Sequence, residues 1–334
     1  MLPILECVPN FSEGRDASVI EQIAAAAGSM QGVKVLHIDS GAAANRTVIT
    51  FAGPPTEVCE GAFRAAAKAQ ELIDMRLHHG EHPRQGAVDV LPLVPVADIT
   101  LEECATLARK LAERMAVVLG IPCYCYEAAA FKPERLNLAV CRSGEYESLP
   151  QKMADPDRRP DFGPSKYNDT VARSGATCVG ARKFLIAVNF NLNTKSAEIA
   201  SEIACDVRQK GRKVIIDGQP QWKRGTLKGC KAIGWYIEEY GIAQVSMNIT
   251  DIDATPLHVA FEEVSRAAAA RGVRVTGTEI IGLVPERVLL EAGLFYSGNP
   301  SAEKEELIRT AIERMGLGDL RPFDPQAKVL EYLL

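Results

Sequence analysis

At 334 residues the chain has room for two domains of ordinary size, or one large one. Its 47% hydrophobic and 24% charged residues are those of a soluble globular protein able to bury a core. A formal charge of −5 argues against bulk nucleic-acid binding. No apolar run approaches the roughly 18 residues that span a bilayer, and Met1-Leu-Pro-Ile-Leu-Glu6 reaches an acid too soon for a secretory leader. The nine cysteines are odd in number, scattered and never spaced Cys-x-x-Cys. They read as reduced thiols of a cytoplasmic protein, mostly small core residues, with Cys123 and Cys125 on one face of a strand.

Leu2–Val8 reads as a strand closed by the turn Pro9-Asn-Phe-Ser-Glu-Gly14. Val19, Ile20, Ile23, Ala24 and Ala27 recur at helical spacing, and Gly28 and Gly32 end that helix. Val33–Asp39 and Thr47–Ala52 are strands whose connection is too short for a crossover helix, so they pair as a hairpin. Thr56–Met75 is an amphipathic helix and Asp89–Val96 a fourth strand. The order β-α-β-β-α-β predicts a ferredoxin-like unit.

Leu101–Leu119 predicts a helix and Pro122–Tyr126 a strand, followed by a long polar tract from about Glu127 to Ala176. A loop of that length in a compact protein is usually functional or a linker. The β-α-β-β-α-β order then returns, with strands at Lys183–Asn191, Ala232–Ile237, Ile242–Asn248 and Val273–Leu283 and helices at Thr194–Lys210 and Pro256–Arg271. Helices at Pro285–Phe295 and Ala302–Met315 follow. The expected fold class is therefore α/β (α+β), two ferredoxin-like subdomains with mixed sheets flanked by helices, at 1–180 and 181–334.

The stretch Arg76-Leu-His-His-Gly-Glu-His-Pro-Arg-Gln-Gly-Ala-Val-Asp89 holds three of the five histidines, directly before a buried strand. Histidine alone changes charge near neutral pH without help, so proton transfer is sought here first. A metal site is the weaker reading: Gly80 and Pro83 break the helix that would align His78 with His82, and no His-Glu-x-x-His order is present. A general acid/base tuned by Glu81, Arg84 or Asp89 fits better, with a solvated polar turn as the bland alternative. Asp39, ending the second strand, is a candidate orienter on the expectation that this strand lies centrally in the sheet. From Arg208 to Lys231 eight Lys/Arg residues accompany one acid, Asp217, which reads as an edge for carboxylates or phosphates, or as a solvated loop. Gly175-Ala-Thr-Cys-Val-Gly-Ala-Arg-Lys183 precedes a strand and lacks Gly-Lys-Ser/Thr, which excludes a phosphate loop.

Several segments taken together resemble the glutamate formiminotransferase family, in its stand-alone form without a cyclodeaminase domain. They are Glu6-Cys-Val-Pro-Asn-Phe-Ser-Glu-Gly14, Asp39-Ser-Gly41 with Asn45-Arg-Thr47, and Gly80-Glu-His-Pro-Arg84 with Gly86-Ala87 and Asp89. Further segments are Ser143-Gly-Glu-Tyr-Glu147, Asp161-Phe-Gly-Pro-Ser165, Gly180-Ala-Arg-Lys-Phe-Leu-Ile-Ala187, Ala232-Ile-Gly-Trp-Tyr236 and Gly282-Leu-Val-Pro285. The resemblance implies transfer of a formimino group from N-formimino-L-glutamate to N5 of tetrahydrofolate, in histidine degradation. It implies two ferredoxin-like subdomains with the folate held between them, and a homodimer; from the charge, the apolar runs and the histidine spacing, no metal, nucleic-acid or membrane partner is expected. It places the catalytic histidine at His82 and the folate contacts on Gly163, Pro164, Ser165, Lys166, Tyr167, Ser174 and Gly175, in a segment lengthened over 166–173. The tetrahydrofolate is a co-substrate, in a free or polyglutamylated form. With the chain stopping at Leu334, a separate cyclodeaminase is expected to process the product. N-formylglutamate as donor, a folate-binding protein without catalysis, and a zinc hydrolase are the competing readings.

Overall fold

The computed structural model describes residues 2–42, 44–80, 83–216 and 218–334, and of Ile216 the backbone alone. The chain divides into two compact units, residues 1–183 with Leu334 and residues 184–333.

The first unit runs β1 (Ile4–Cys7), β2 (Asn10–Phe11), α1 (Ala17–Ala27), β3 (Lys34–Gly41), β4 (Arg46–Gly53), α2 (Pro55–Leu72), β5 (Val88–Ala97), α3 (Leu101–Leu119) and β6 (Cys123–Glu127). Three short helices follow, α4 (Leu138–Cys141), α5 (Leu149–Ala154) and α6 (Asp169–Ser174), and then β7 (Thr177–Ala181). β1 and β2 act as one strand interrupted at Pro9, lying between β4 and β5 and antiparallel to both. With β3 on the far side of β4, the first four strands take the ferredoxin-like order, and β7 and β6 extend the sheet as parallel strands beyond β5.

Helix ends follow their sequence signals. Asp16 caps α1 through the backbone N–H of Ser18 and Val19, and Thr100 with Glu103 forms a capping box on α3, which ends at Gly120 in the left-handed conformation. Each such cap contributes about 1 kcal/mol. The apolar faces of α1, α2 and α3 bury against Leu5, Ile49, Phe51, Leu91 and Leu93 on one side of the sheet, with Cys123 and Cys125 beside each other in that core.

Two expectations change here. The tract after β6 is a folded layer carrying α4, α5 and α6, because Cys141, Leu149, Met153 and Val171 supply enough apolar surface to pack on Val90, Tyr124, Tyr126 and Cys178. The run Thr177–Ala181, to which the sequence assigned no element, is strand β7, fully buried between two parallel neighbours. Continuous short apolar runs of this kind are what a parallel strand requires.

The second unit runs β8 (Ile186–Leu192), α7 (Ala197–Val207), β9 (Arg212–Ile216), β10 (Gln219–Lys223), β11 (Cys230–Ile237), β12 (Ile242–Ile249), α8 (Leu257–Ala269), β13 (Val275–Ile281), α9 (Glu286–Ser297) and α10 (Lys304–Met315), with two short closing helices. Its sheet order, β11-β12-β8-β13 and antiparallel throughout, is again ferredoxin-like. Val188, Phe190, Val245 and Met247 face a core built with α7, α8, α9 and α10. The basic stretch contributes the separate hairpin β9–β10. Part of its charge is engaged within this unit: Arg208 donates to Gly211 O and Ala232 O, Arg212 pairs with Asp206 at 2.8 Å, and Lys210 lies over the Trp222 ring.

All nine cysteines are free thiols, seven of them buried. Burial pushes the Cys7, Cys123 and Cys178 thiols well above their usual range, which suits packing rather than reactivity. Among the described residues no helix is long and apolar enough to cross a membrane.

Candidate functional site

The loop joining α2 to β5 is held from four directions, and the group it converges on is Asp89, at the start of β5. This carboxylate is fully buried. Oδ1 accepts from the Gln85 backbone N–H at 2.9 Å, and Oδ2 accepts from Arg46 Nη1 at 2.5 Å and Arg142 Nη2 at 2.7 Å. The register shift of β2 against β5 at Asn10/Phe11 lets Asp89 turn toward Arg46, whose Nε also donates to Asn10 Oδ1 at 3.0 Å. A carboxylate with two guanidinium partners leaves a local surplus of one positive charge, and charge-assisted bonds of this kind are the strong ones. Burial lowers the Arg46 pKa, and the adjoining Asp89 pushes it back up.

His78 is held by both ring nitrogens. Nε2 donates to Asn45 O at 2.9 Å, and Nδ1 accepts from Arg84 Nε at 3.2 Å. That pattern fixes a neutral tautomer. Burial depresses its pKa, the bond to Asn45 opposes this, and the Arg84 charge depresses it further. Such a ring takes up a proton less readily than a free imidazole, and with both nitrogens engaged it offers no lone pair to a metal; it clamps the loop. Asn45, itself at a positive φ of 47°, ties the β3–β4 turn to the same loop by donating to His79 O at 3.0 Å and accepting from the Gly14 N–H at 3.0 Å. Gly80 is required here because a Cβ would lie 2.3 Å from Ala44 O.

The remaining sides are closed by distant segments. Arg84 forms bonds of 3.0 and 2.7 Å with Glu147, and the Tyr146 N–H donates to Arg84 O at 2.9 Å. Arg142 also donates to Pro83 O. Ser12 Oγ donates to Gly86 O at 2.8 Å, and Ala87 N–H to Ser174 O at 2.8 Å. Gly175, with φ of 66°, packs where a Cβ would lie 2.3 Å from Gln85 O, so the end of α6 lies directly against the loop.

His82 and Glu81 lie outside the described residues, as does Asp217; Gly80 and Pro83 border the histidine's place in the chain. Of the residues expected to meet folate, Gly163, Ser165, Lys166 and Tyr167 are exposed, Pro164 is half-buried, and Ser174 and Gly175 are buried beside Gly86. The Ser174 hydroxyl turns back to Thr170 O at 2.9 Å, so its backbone, not its hydroxyl, serves the loop. The 166–173 stretch carries most of α6, whose Asn168 cap accepts from the Val171 N–H.

Asp39 needs a correction. Strand β3 pairs with β4 alone and is therefore at the sheet edge, not central. In the ferredoxin-like order the strand after the first crossover helix takes the outer place and its hairpin partner β4 the inner one, so the positional reason for Asp39 as an orienter does not hold. It does share a face with Val48, Asn10 and Val90, its successive neighbours across the sheet. The residues that sequence reasoning missed are Arg142 and Gln85. The only signal for Arg142 was its place immediately before Ser143-Gly-Glu-Tyr-Glu147. Among the described residues no three His, Cys, Asp or Glu side chains form a metal-type group.

Residues 4–182 match the formiminotransferase domain, N-terminal subdomain, and residues 187–334 match the formiminotransferase domain. The chain belongs to the formiminotransferase family. A formimidoyltransferase-cyclodeaminase of Sus scrofa is 45% identical over 337 residues, covering 100% of this chain and 60% of that protein. This formiminotransferase chain thus spans about 60% of the length of that curated relative. A glutamate formimidoyltransferase of Streptococcus pyogenes serotype M1 is 43% identical, covering 89% of this chain and 94% of its own. Another, of Thermoplasma acidophilum, is 40% identical over 88% of this chain and 92% of its own.

Proposed function

We propose that this chain is a glutamate formimidoyltransferase, moving the formimino group of N-formimino-L-glutamate to N5 of tetrahydrofolate and releasing L-glutamate. The observation that carries the reading is the match of both halves of the chain to formiminotransferase domains, joined to relatives of that name matched over nearly their full length. The product, 5-formiminotetrahydrofolate, belongs to histidine degradation and one-carbon metabolism. A separate cyclodeaminase would act next on it. A homodimer in the cytoplasm, with folate monoglutamate or polyglutamate as co-substrate, completes the proposal.

N5 attacks the amidine carbon, a C–N5 bond forms, and the carbon becomes tetrahedral. Collapse breaks the bond to the glutamate nitrogen. The proton lost by N5 is the proton that nitrogen needs, so one base acting as its own conjugate acid balances the step without metal or redox partner. His82 is the group we assign to it, since imidazole has a pKa suited to both halves. The described residues on either side are themselves held: Gly80 lies close against Ala44, Pro83 O receives Arg142, and the Gln85 N–H binds Asp89. The surplus positive charge of Arg46 and Arg142 around Asp89 suits a substrate carboxylate. Folate is assigned to the stretch Gly163–Tyr167 with Ser174 and Gly175, and Asp39, on the face that carries Asn10, to a supporting position.

The test is His82→Ala in purified protein, with folding checked by circular dichroism. Loss of about 10²–10⁴-fold in kcat is expected of a missing general acid/base; near-normal turnover by the folded variant would remove His82 from the mechanism.

A further inference from the structure

A cavity of about 680 Å³ opens between β6 and the segment carrying α4 and α5, and shares no lining residue with the Asp89 centre. That size falls within the range of small-molecule sites. Four cations line it, Lys132, Arg135, Lys152 and Arg158, against two acids, Glu134 and Asp157.

The cations are not equally committed. Arg135 is ion-paired with Asp161, and Lys152 donates to Gln85 Oε1 at 2.8 Å and to Cys141 O. Lys132 and Arg158 instead meet neutral oxygens: Lys132 Nζ donates to Asp157 O at 3.0 Å, and Arg158 Nη2 donates to Ser143 O at 3.3 Å and Ser143 Oγ at 3.2 Å. Neither has a carboxylate partner among the described residues.

Tyr124 lies at the wall of the same cavity, 1% exposed, and its hydroxyl has no hydrogen-bond partner. Its ring carries Lys152 Nζ at 4.3 Å and Arg135 Cζ at 5.1 Å from the centroid. A buried tyrosine hydroxyl normally finds an acceptor. Lys152 and Arg135 over the ring cannot accept, and the nearby Asp161 carboxylate is taken up by Arg135 and the Cys125 N–H, which leaves the hydroxyl open to an oxygen from outside the chain. Phe131, Pro133 and Val140 add apolar wall.

We propose that this cavity binds a small organic oxyanion, a carboxylate or phosphate monoester on an apolar body. One oxygen of the ligand accepts from the Tyr124 hydroxyl, its charge is met by Lys132 and Arg158, and its body lies against Phe131 and Val140. The site reaches the loop of the proposed transferase centre through one chain of bonds, Lys152 to Gln85 Oε1 and Gln85 N–H to Asp89. Ligand recognition, however, needs no part of that centre.

Isothermal titration of the full chain with phenyl phosphate, benzoate and inorganic phosphate tests this. Saturable 1:1 binding of phenyl phosphate, of benzoate, or of both is expected, and which binds identifies the oxyanion. The two exposed cations allow a variant that keeps the fold: Lys132→Glu with Arg158→Glu should weaken binding about tenfold or more, as expected for loss of charge-assisted bonds. Tyr124→Phe should weaken it severalfold; if that variant does not fold, the charge reversal alone decides. Absence of binding by both organic probes, affinity unchanged by the charge reversal, or inorganic phosphate binding as tightly as phenyl phosphate would overturn the proposal.

Discussion

Asp89→Ala removes the carboxylate on which two arginines and a backbone N–H converge. In a site from which water is excluded, taking away one partner of an ion pair costs about 3–5 kcal/mol, mostly because the remaining charge stays buried. Side-chain exposures of 11% for Arg46 and 18% for Arg142 let some water reach the orphaned guanidiniums, which places the expectation at the lower end, about 3 kcal/mol. Asp89→Asn keeps the volume and an acceptor for Gln85, and loses only the charge, for about 2 kcal/mol. Against a total stability of about 5–15 kcal/mol, the alanine variant should remain folded but shift its urea midpoint visibly. Transferase activity should fall more steeply than stability, because Gln85, Arg142 and Pro83 lose their common anchor. An alanine variant within 1 kcal/mol of the parent (roughly the worth of one ordinary hydrogen bond), with unchanged kcat/KM, would refute Asp89 as the organising group.

The His78 clamp makes a prediction in pH. Its folded-state pKa lies below the ordinary 6.5, so the unfolded chain takes up the proton first. The ring's contribution to stability is complete above about pH 6.5 and is lost as pH falls below it. His258, depressed by burial in the second unit, adds to the same acid-side loss. Urea titrations from pH 7 to 5 should show stability falling, with a shallower fall in His78→Asn; parallel curves would contradict the clamp. Lys152 acts on the alkaline side. Burial lowers it from 10.5 to about 8, with the thiols of Cys178 and Cys141 opposing and the charges of Arg158 and Arg135 assisting. Between those two values the unfolded chain binds the extra proton, so stability relative to a chain without this lysine rises with pH. The difference between the parent and Lys152→Met should move in the parent's favour by about 1.4 kcal/mol per pH unit from 8 to 10, and a flat difference would place Lys152 in water.

How far the molecule could be read from its residues differs by level. The helix Leu101–Leu119 was legible to the residue, because Thr100, Glu103 and Gly120 mark both ends of a clean 3.6-residue pattern. The two ferredoxin-like units were legible because hairpin-length connections at 40–45 and 238–241 leave few other topologies. Strand β7 was not, since five buried residues without alternation carry no period. Strand β2 was hidden by Pro9 and by a bulge. Within the candidate site, the local cluster of histidines was visible, but the part played by His78 depends on Asn45 and Arg84 reaching it through the fold. Arg142 and Asp89 are 53 positions apart, and no spacing rule joins them. The edge position of β3 misled the reading of Asp39, because centrality in a sheet is a property of strand order and not of chain order.

The measurement that reaches the proposed activity most directly is the incubation of purified chain with tetrahydrofolate and, in parallel, N-formimino-L-glutamate or N-formyl-L-glutamate, following the folate product and released glutamate. Formimino transfer should give equal amounts of 5-formiminotetrahydrofolate and glutamate, with the formyl donor much slower. Folate binding without transfer from either donor, or a clear preference for the formyl donor, would contradict the assignment.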